Sequence, residues 1–211
     1  MRNKIISLLT LKTLKIFCTS LCISSFAIAD DTKANSNDIE IANSNSCQTV
    51  NAKPLTSSNF AKLIESNNLQ LLGTAKFSVL FWDIYESRLL TSDGQLPLSH
   101  PCQYSMFEIK YLRDITKQEL IENTVAQWQH LAITEKEYQP YLVALKNIWP
   151  DIRAGDKLIL LNNATTTLFY FNQQKVGEIE SEAFADLFLR IWLDENTSEP
   201  TLRKQLLGEL I

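Results

Sequence analysis

The stretch that most constrains the fold is Phe107–Trp128, FEIKYLRDITKQELIENTVAQW, in which a two-residue period gives way to a helical one. Apolar and charged residues alternate from Phe107 to Tyr111, a pattern typical of a strand with one buried face and one solvent-facing face. Thr116 then stands three residues before Glu119, which is the spacing of a capping box at a helix start. The sequence therefore predicts a strand that runs directly into a helix, and this helix should pack back on the strand's own sheet.

Other apolar runs predict the remaining elements. Leu69–Leu90 is rich in aromatic and aliphatic residues and predicts two long strands or one bent strand, with a bulge near Asp83. A second capping box, Thr134 to Glu137, opens another helix. The later elements are a meander of Lys157–Leu161, Thr166–Phe171 and Lys175–Ile179, followed by helices that open at Ser181 and Ser198. Strands joined by tight turns are antiparallel, and a pair of inserted helices has to cover one face of the sheet, so an α+β fold is predicted.

The N-terminal segment differs from the rest of the chain. Four basic residues precede an apolar run from Ile16 to Ile28, and Ala27 and Ala29 form a small-x-small cleavage site. This pattern predicts a secretory signal peptide over residues 1–29, cleaved after Ala29, and a periplasmic or secreted protein. A transmembrane anchor is the alternative, but the run is shorter than the ~20 residues that span a bilayer. Residues 30–46 are rich in Asn, Ser and Asp and predict a flexible leader, which leaves residues 47–211 as one folded domain.

Charge and cysteine content narrow the possible partners and covalent links. Cleavage would remove four basic residues and no acidic one, so the formal charge would fall from −4 to −8. Nucleic acid and anionic lipid headgroups are therefore poor candidate partners. Cleavage would also leave no stable membrane anchor. Cys47 and Cys102 would be left in an oxidising compartment, where they form a disulfide or remain two unpaired thiols.

Motifs for metal, phosphate or nucleophilic chemistry are missing from the sequence. The two histidines, His100 and His130, stand at no metal-ligand spacing, and no serine lies in a nucleophile elbow. With five glycines in the chain there is no phosphate-cradling loop. We therefore expect neither a metal nor a cofactor.

Polar residues set into the aromatic strands are the remaining candidates for a binding site. A cation and a phenol that reach into an apolar cavity would bind the carboxylate end of a greasy ligand, because charge-assisted hydrogen bonds are strong at low dielectric. The alternatives are arginines on the solvent face, paired with Glu86 or Asp114, and tyrosines that only fill the core. The candidates are Lys76, Tyr85, Arg88, Tyr111 and Arg113, and Asn123 lies close to the buried face of the first long helix unless it is a surface residue.

Several segments together resemble one family. They are WDIYESRLL, LRDIT, ELIENTVAQW, LVALKNIWPDIRAGDKL and TLFYFNQQKVGEIESEAFADLFLRIW, and their order and spacing resemble the chalcone isomerase-like family, in particular its bacterial secreted branch. The resemblance covers roughly Leu69 to Leu207. It implies an open-faced β-sandwich in which a large antiparallel sheet is covered by helices, with a ligand cleft between them.

The resemblance also implies which catalytic residues to look for. Plant members close a chalcone into a flavanone, and non-catalytic relatives bind fatty acids in the same cleft. Asn123 matches the family's ligand-gripping asparagine, whereas Thr116 stands at the catalytic tyrosine and Leu80 at the catalytic threonine. The arginine has no clear match, Lys76 being the nearest cation, and the last polar contact falls near Ala183. Loss of the groups that stabilise an enolate should cost orders of magnitude in rate, so chalcone cyclisation is not expected.

Three functions remain open at this point. The favoured one is an exported, non-catalytic protein that binds an apolar acid, such as a fatty acid, through Lys76, Tyr85, Arg88, Tyr111 and Asn123. The second is an intramolecular lyase or isomerase for an unsaturated carbonyl compound, in which Lys76 or Tyr85 polarises the carbonyl and burial lowers the pKa of the lysine. The third is a protein-interaction module whose cleft is filled by its own side chains.

Overall fold

A computed structural model describes residues 60–99, 104–163 and 165–210. The strands are β1 (Gln70–Val79), β2 (Trp82–Thr91), β3 (Tyr104–Tyr111), β4 (Lys157–Asn163), β5 (Thr166–Phe171) and β6 (Gln174–Glu180). The helices are α1 (Phe60–Ser66), α2 (Lys117–His130), α3 (Glu135–Ile148), α4 (Glu182–Leu193) and α5 (Pro200–Leu206), and a short 3-10 turn covers Pro97–Ser99.

The six strands form a single antiparallel sheet in the order β1-β2-β3-β4-β5-β6. Every strand pairs with its neighbours in sequence, so the chain builds the sheet as two stretches of hairpins interrupted by the α2–α3 pair. The predicted meander is present: β5 has the predicted bounds, β4 continues two residues further, and β6 is longer by one residue at each end. The predicted α+β class is confirmed.

The two faces of the sheet carry separate apolar clusters. Leu89, Phe107 and Ile109 point to the face on which helices α2 to α5 pack, and this face contains the main core. Leu90 and Met106, which alternate with them, belong to a smaller cluster on the opposite face. The period of two along each strand thus sorts every polar residue to one side or the other.

Helix α2 begins where the sequence predicts. The Glu119 amide donates to the Thr116 hydroxyl at 3.2 Å, and the Thr116 amide donates to the Glu119 carboxylate at 2.7 Å. At the other end of the helix Trp128 is completely buried, and its indole N–H donates to the Leu187 carbonyl at 3.0 Å. The helix that follows β3 is therefore tied to α4, and its buried residues belong to the same core cluster as Phe107 and Ile109 of the sheet.

The prediction that Glu108 faces solvent is wrong, although Lys110 on the same face of β3 keeps 44% of its side chain exposed. Glu108 is only 7% exposed, although it alternates with the buried Phe107 and Ile109. Its carboxylate lies between two cations, Arg88 at 3.0 Å and Lys157 at 3.2 Å, which come from the strands on either side. A central strand has neighbours on both edges, so even its polar face is covered and its acid needs partners.

The long run before β3 forms a hairpin of two strands with the predicted bulge. Phe77 pairs with Tyr85 and Ser78 with Asp83, so that Ile84 is the extra residue on β2. Val79 and Trp82 pair directly, which leaves Leu80 and Phe81 as a two-residue turn. Leu80 has φ +55, a left-handed conformation that favours glycine. The sequence carries no turn signal there, because both turn residues are large and apolar.

None of the helices in the described ranges has both the length and the apolar composition that a membrane-spanning segment requires.

Candidate functional site

Tyr85 and Tyr111 form a phenol pair on the face of the sheet that the helices cover. They lie directly opposite each other on β2 and β3, with ring centroids 6.2 Å apart in an edge-to-face arrangement. The ring of Phe77 lies 5.2 Å from that of Tyr85 and continues the aromatic surface onto β1. Cross-strand register therefore brings together two residues that the sequence separates by a loop.

Helix α4 supplies a polar partner to this pair. The indole N–H of Trp192 donates a hydrogen bond to the hydroxyl of Tyr85 at 3.0 Å. The indole is held by Phe107, 4.6 Å away on the sheet, and by Phe188, 5.3 Å away on the same helix. Because the Tyr85 oxygen accepts this bond, its own O–H remains available as a donor.

The hydroxyl of Tyr111 has no hydrogen-bond partner among the described residues, although the residue is only 5% exposed. The hydroxyl oxygen itself is not one of the fully buried unpaired atoms of the described residues, so it lies at the edge of the apolar core, where a ligand can reach it. A hydroxyl left open beside a second phenol in an apolar core is thus a ready donor for an oxygen atom from outside the chain.

Burial fixes the protonation state of both phenols. Desolvation raises the pKa of Tyr85 and of Tyr111 far above the usual value of a tyrosine, and each site adds a smaller electrostatic contribution, from Glu199 for Tyr85 and from Tyr85 for Tyr111. Both groups therefore stay neutral O–H donors at physiological pH. Two such donors suit the oxygen of a carbonyl or carboxyl group.

Glu199, at the start of α5, is the acid whose charge affects the pKa of Tyr85. Burial raises its pKa above the ordinary value, and no ion pair within the described part of the chain neutralises it. Within the described residues, the cation that the sequence predicts beside the phenols, to neutralise a ligand carboxylate, is thus absent. The site is polar at its hydroxyls, and its nearby charge is negative.

Lys76 and Arg88 lie on the opposite face of the sheet from the tyrosine pair. Lys76 forms an ion pair with Asp83 on the exposed hairpin, and the hydrogen bond that the lysine donates to the Asp83 carboxylate raises the pKa of the lysine. The isomerase hypothesis needs a lysine whose pKa is lowered by burial, and Lys76 does not meet this condition. Arg88 is held by Glu108 at 3.0 Å, as the solvent-face alternative for the arginines expects, although the partner is a different acid.

Asn123 is half-buried on α2, and its side-chain amide makes no hydrogen bond with any residue that the structure describes. Arg113 stacks on the ring of Trp82, with its guanidinium carbon 4.7 Å from the ring centroid. Of the sequence-predicted candidates, the structure therefore brings together Tyr85 and Tyr111 and separates them from Lys76 and Arg88.

The positions that correspond to the family's catalytic groups have other uses here. Thr116 caps α2, Leu80 lies in the exposed hairpin turn and Ala183 lies in the first turn of α4. Cys47, Cys102 and His100 lie outside the described residues. Within the residues that are described, no cluster of His, Cys, Asp or Glu could hold a metal ion.

Sequence reasoning missed Trp192 and Glu199. Trp192 lies four residues after Phe188 on a helix whose buried face was recognised, so the helical period alone could have pointed to it. Glu199 gave no such signal, because its influence on Tyr85 depends on how α5 docks. The site thus combines the predicted strand residues with residues that lie roughly 80 to 115 positions further along the chain.

Comparison with known proteins identifies the fold and the family. The structure of a fatty-acid binding protein from Arabidopsis thaliana is similar, with a TM-score of 0.54 at 12% sequence identity, covering 68% of this chain and 88% of that one. No match to a curated protein was found. The family model for chalcone isomerase-like proteins matches residues 56–208, and the chain belongs to the chalcone isomerase-like family.

Proposed function

We propose that this chain is a non-catalytic binding protein for an apolar molecule with a carboxyl or carbonyl head, a fatty acid in first place. The head would lie against the hydroxyls of Tyr85 and Tyr111, and the apolar tail would lie between the sheet and its helices. The observation that carries the proposal is the hydroxyl of Tyr111, a residue that is only 5% exposed; this hydroxyl has no partner among the described residues and its ring packs against Tyr85. The fatty-acid binding protein that shares the fold supports the same ligand class.

The chemistry of the site favours binding over turnover. Two neutral phenols can hold an oxygen atom, but the hydroxyl and phenol that the family's enzymes use are replaced by Leu80 and Thr116. Lys76, the cation assigned to the alternative isomerase, is exposed and paired with Asp83. An intramolecular lyase or isomerase would have to polarise the carbonyl with the hydroxyls of Tyr85 and Tyr111, without help from Lys76.

Identification of the occupant tests the proposal directly. The full chain is expressed, and the protein that the cells produce is purified without detergent. Native mass spectrometry gives the mass of the protein with any bound molecule, and extraction with organic solvent releases that molecule for identification. We expect a bound mass that matches fatty acids, and displacement of a fluorescent fatty acid by added palmitate. A protein that retains nothing and binds neither palmitate nor its methyl ester would contradict the proposal. Turnover of an enone that is lost in Tyr85→Phe would replace it with the isomerase.

Export is a separate proposal. It rests on the basic and apolar segments before Ala29, which lie outside the described residues. N-terminal sequencing of the accumulated protein should begin at Asp30, and a chain that keeps residues 1–29 would refute cleavage. In the same material, alkylation without reductant should label neither Cys47 nor Cys102 if they form the proposed disulfide.

A further inference from the structure

The tip of the β1–β2 hairpin carries three consecutive large apolar side chains that face solvent. Leu80 is 77% exposed, Phe81 is 97% exposed and Trp82 is 50% exposed. These three residues form the hairpin tip. The other exposed large apolar residues of the described chain are scattered singly, which is ordinary for a soluble surface, whereas a contiguous apolar group points to an interaction.

The backbone of the tip shows that its apolar character is not required by the fold. Leu80 adopts φ +55, where a side chain is disfavoured and glycine is the usual residue of a two-residue hairpin. The leucine gains little from packing within the protein, because most of its side chain is exposed. A strained position that holds a large exposed apolar residue is best explained by a contact outside the chain.

The size and charge of the tip select the kind of partner. Three side chains present roughly 500 Å², which is less than the ~800 Å² that each partner of a stable protein complex buries. At the base of the tip the Arg113 guanidinium stacks 4.7 Å from the Trp82 ring centroid, and Lys76 pairs with Asp83. The outermost residues of the tip are thus apolar, and a tryptophan and an arginine lie at its base. A bilayer has the matching order, with acyl chains in its interior and headgroups at its surface.

The tip also continues into the candidate ligand site. Trp82 is three residues before Tyr85 on the same strand, and Phe77, on the facing strand, contacts the Tyr85 ring at 5.2 Å. The exposed turn and Tyr85 of the phenol pair thus belong to the same hairpin.

From these observations we infer that the hairpin tip inserts into the surface of a phospholipid bilayer, with Leu80 and Phe81 among the acyl chains and Trp82 and Arg113 at headgroup depth. The contact is mainly apolar, since the charges of Lys76 and Asp83 offset each other and leave Arg113 as the cation at the tip. Its purpose rests on the proposed function, because a protein that docks on a bilayer can exchange a fatty acid with it. The docking itself needs no bound ligand.

Quenching of Trp82 fluorescence tests the inference. Vesicles of phosphatidylcholine with brominated acyl chains are titrated into the full-length protein without added fatty acid. We expect quenching that is lost in Trp82→Phe, which keeps the tip apolar, and that changes little with salt. Persistent quenching in Trp82→Phe, or no quenching in the parent protein, would overturn the inference. All variants share the same N-terminal segment, so this segment does not cause a difference between them.

Leu80→Gly is the decisive variant because it removes an apolar side chain and relieves the strained turn at the same time. Its thermal stability should be equal to or higher than that of the parent, whereas its vesicle affinity should fall about tenfold. Phe81→Ser should behave alike, and Val143→Ala, which trims another exposed apolar residue on α3, should leave vesicle binding unchanged.

Two outcomes would assign the tip differently. Unchanged vesicle affinity in both Leu80→Gly and Phe81→Ser would refute membrane insertion. A dimer in sedimentation experiments that Phe81→Ser disperses would show that a second copy covers the tip. Fatty-acid displacement in solution, measured on Leu80→Gly, separates this inference from the proposed function, since ligand binding should survive the loss of docking.

Discussion

The indole N–H of Trp192 donates to the hydroxyl of Tyr85 at 3.0 Å and so joins α4 to β2 across 107 residues of sequence. Both side chains also pack against aromatic rings: Tyr85 against Phe77 and Tyr111, and Trp192 against Phe107 and Phe188. The orientation of the Tyr85 O–H, and with it the geometry of the phenol pair, depends on where α4 lies on the sheet.

Trp192→Phe should destabilise the protein by about 1–3 kcal/mol, because it removes this hydrogen bond and part of a buried ring. It should also weaken fatty-acid binding, since Tyr85 loses the group that orients it. Trp149→Phe is the matched control, because Trp149 also packs near Phe188 but its N–H has no partner in the described structure. Denaturation measures the stability of the two variants, and displacement of a fluorescent fatty acid measures their affinity. Equal losses of affinity in both would argue against a specific role for the Trp192 bond.

Glu199→Gln should stabilise the protein at pH 7 to 8 and not at pH 4. Burial raises the pKa of Glu199 in the folded state above its value of 4.5 in the unfolded chain. The folded protein therefore binds the proton more tightly, and the associated stability is complete below pH 4.5 and is lost as pH rises through the folded-state pKa. The glutamine has no charge to bury. Thermal melts of both proteins across this range measure the difference, and a stability gap that widens toward low pH would be inconsistent with a raised pKa.

The same variant should bind fatty-acid anions more tightly at pH 7. Glu199 carries a negative charge that already influences the Tyr85 phenol, so it should repel a carboxylate placed there. The parent protein should gain affinity as pH falls, because both Glu199 and the fatty acid become neutral. Binding of a fatty-acid methyl ester is the control, since its affinity should change little in Glu199→Gln.

Glu108→Gln should cost about 1–2 kcal/mol of stability and leave ligand affinity unchanged. The substitution leaves Arg88 and Lys157 facing each other across a nearly buried site without their shared anion. Glu178→Gln, which breaks an exposed pair with Lys175, should cost less than about 0.5 kcal/mol. Denaturant titration gives both values, and a Glu108 variant as stable as the Glu178 variant would show that the three charges do not act together.

Gly73→Ala should destabilise the protein by about 3 kcal/mol. A Cβ at Gly73 would collide with the backbone carbonyls of Gln205 and Leu206 at the end of α5, and a helix backbone cannot turn aside. Gly177→Ala would meet only the Ile148 side chain, which can change rotamer, so its cost should be about 1 kcal/mol. Equal costs would mean that α5 can move away from β1.

The sequence predicts the architecture well because the architecture follows from local chemistry. The capping box at Thr116 and the alternation around Phe107 are short-range signals, and they placed α2 and β3 correctly. The candidate site was harder. Tyr85 and Tyr111 could be proposed from their strands. Whether Lys76 shares their face depends on the bulge beside Asp83, because without it Lys76 would pair with Tyr85 and with it Lys76 pairs with Glu86. Arg88 lies three residues after Tyr85 on the same strand and so takes the other face by simple alternation.

Long-range contacts set the limit of the prediction. Glu108 looked solvent-facing because a single strand does not reveal the cations on its two neighbours. Glu199 and Trp192 reach the site through the docking of α5 and α4, and that docking is decided by packing across the whole core.

Tyr111→Phe provides the most direct test of the central claim. Because the Tyr111 hydroxyl has no partner in the described structure, its removal should leave stability unchanged or slightly higher. If the hydroxyl holds the head of a bound fatty acid, the same change should weaken palmitate binding about tenfold, while Arg88→Met on the opposite face leaves binding unaltered. Unchanged affinity in Tyr111→Phe, or an equal loss in Arg88→Met, would contradict the account.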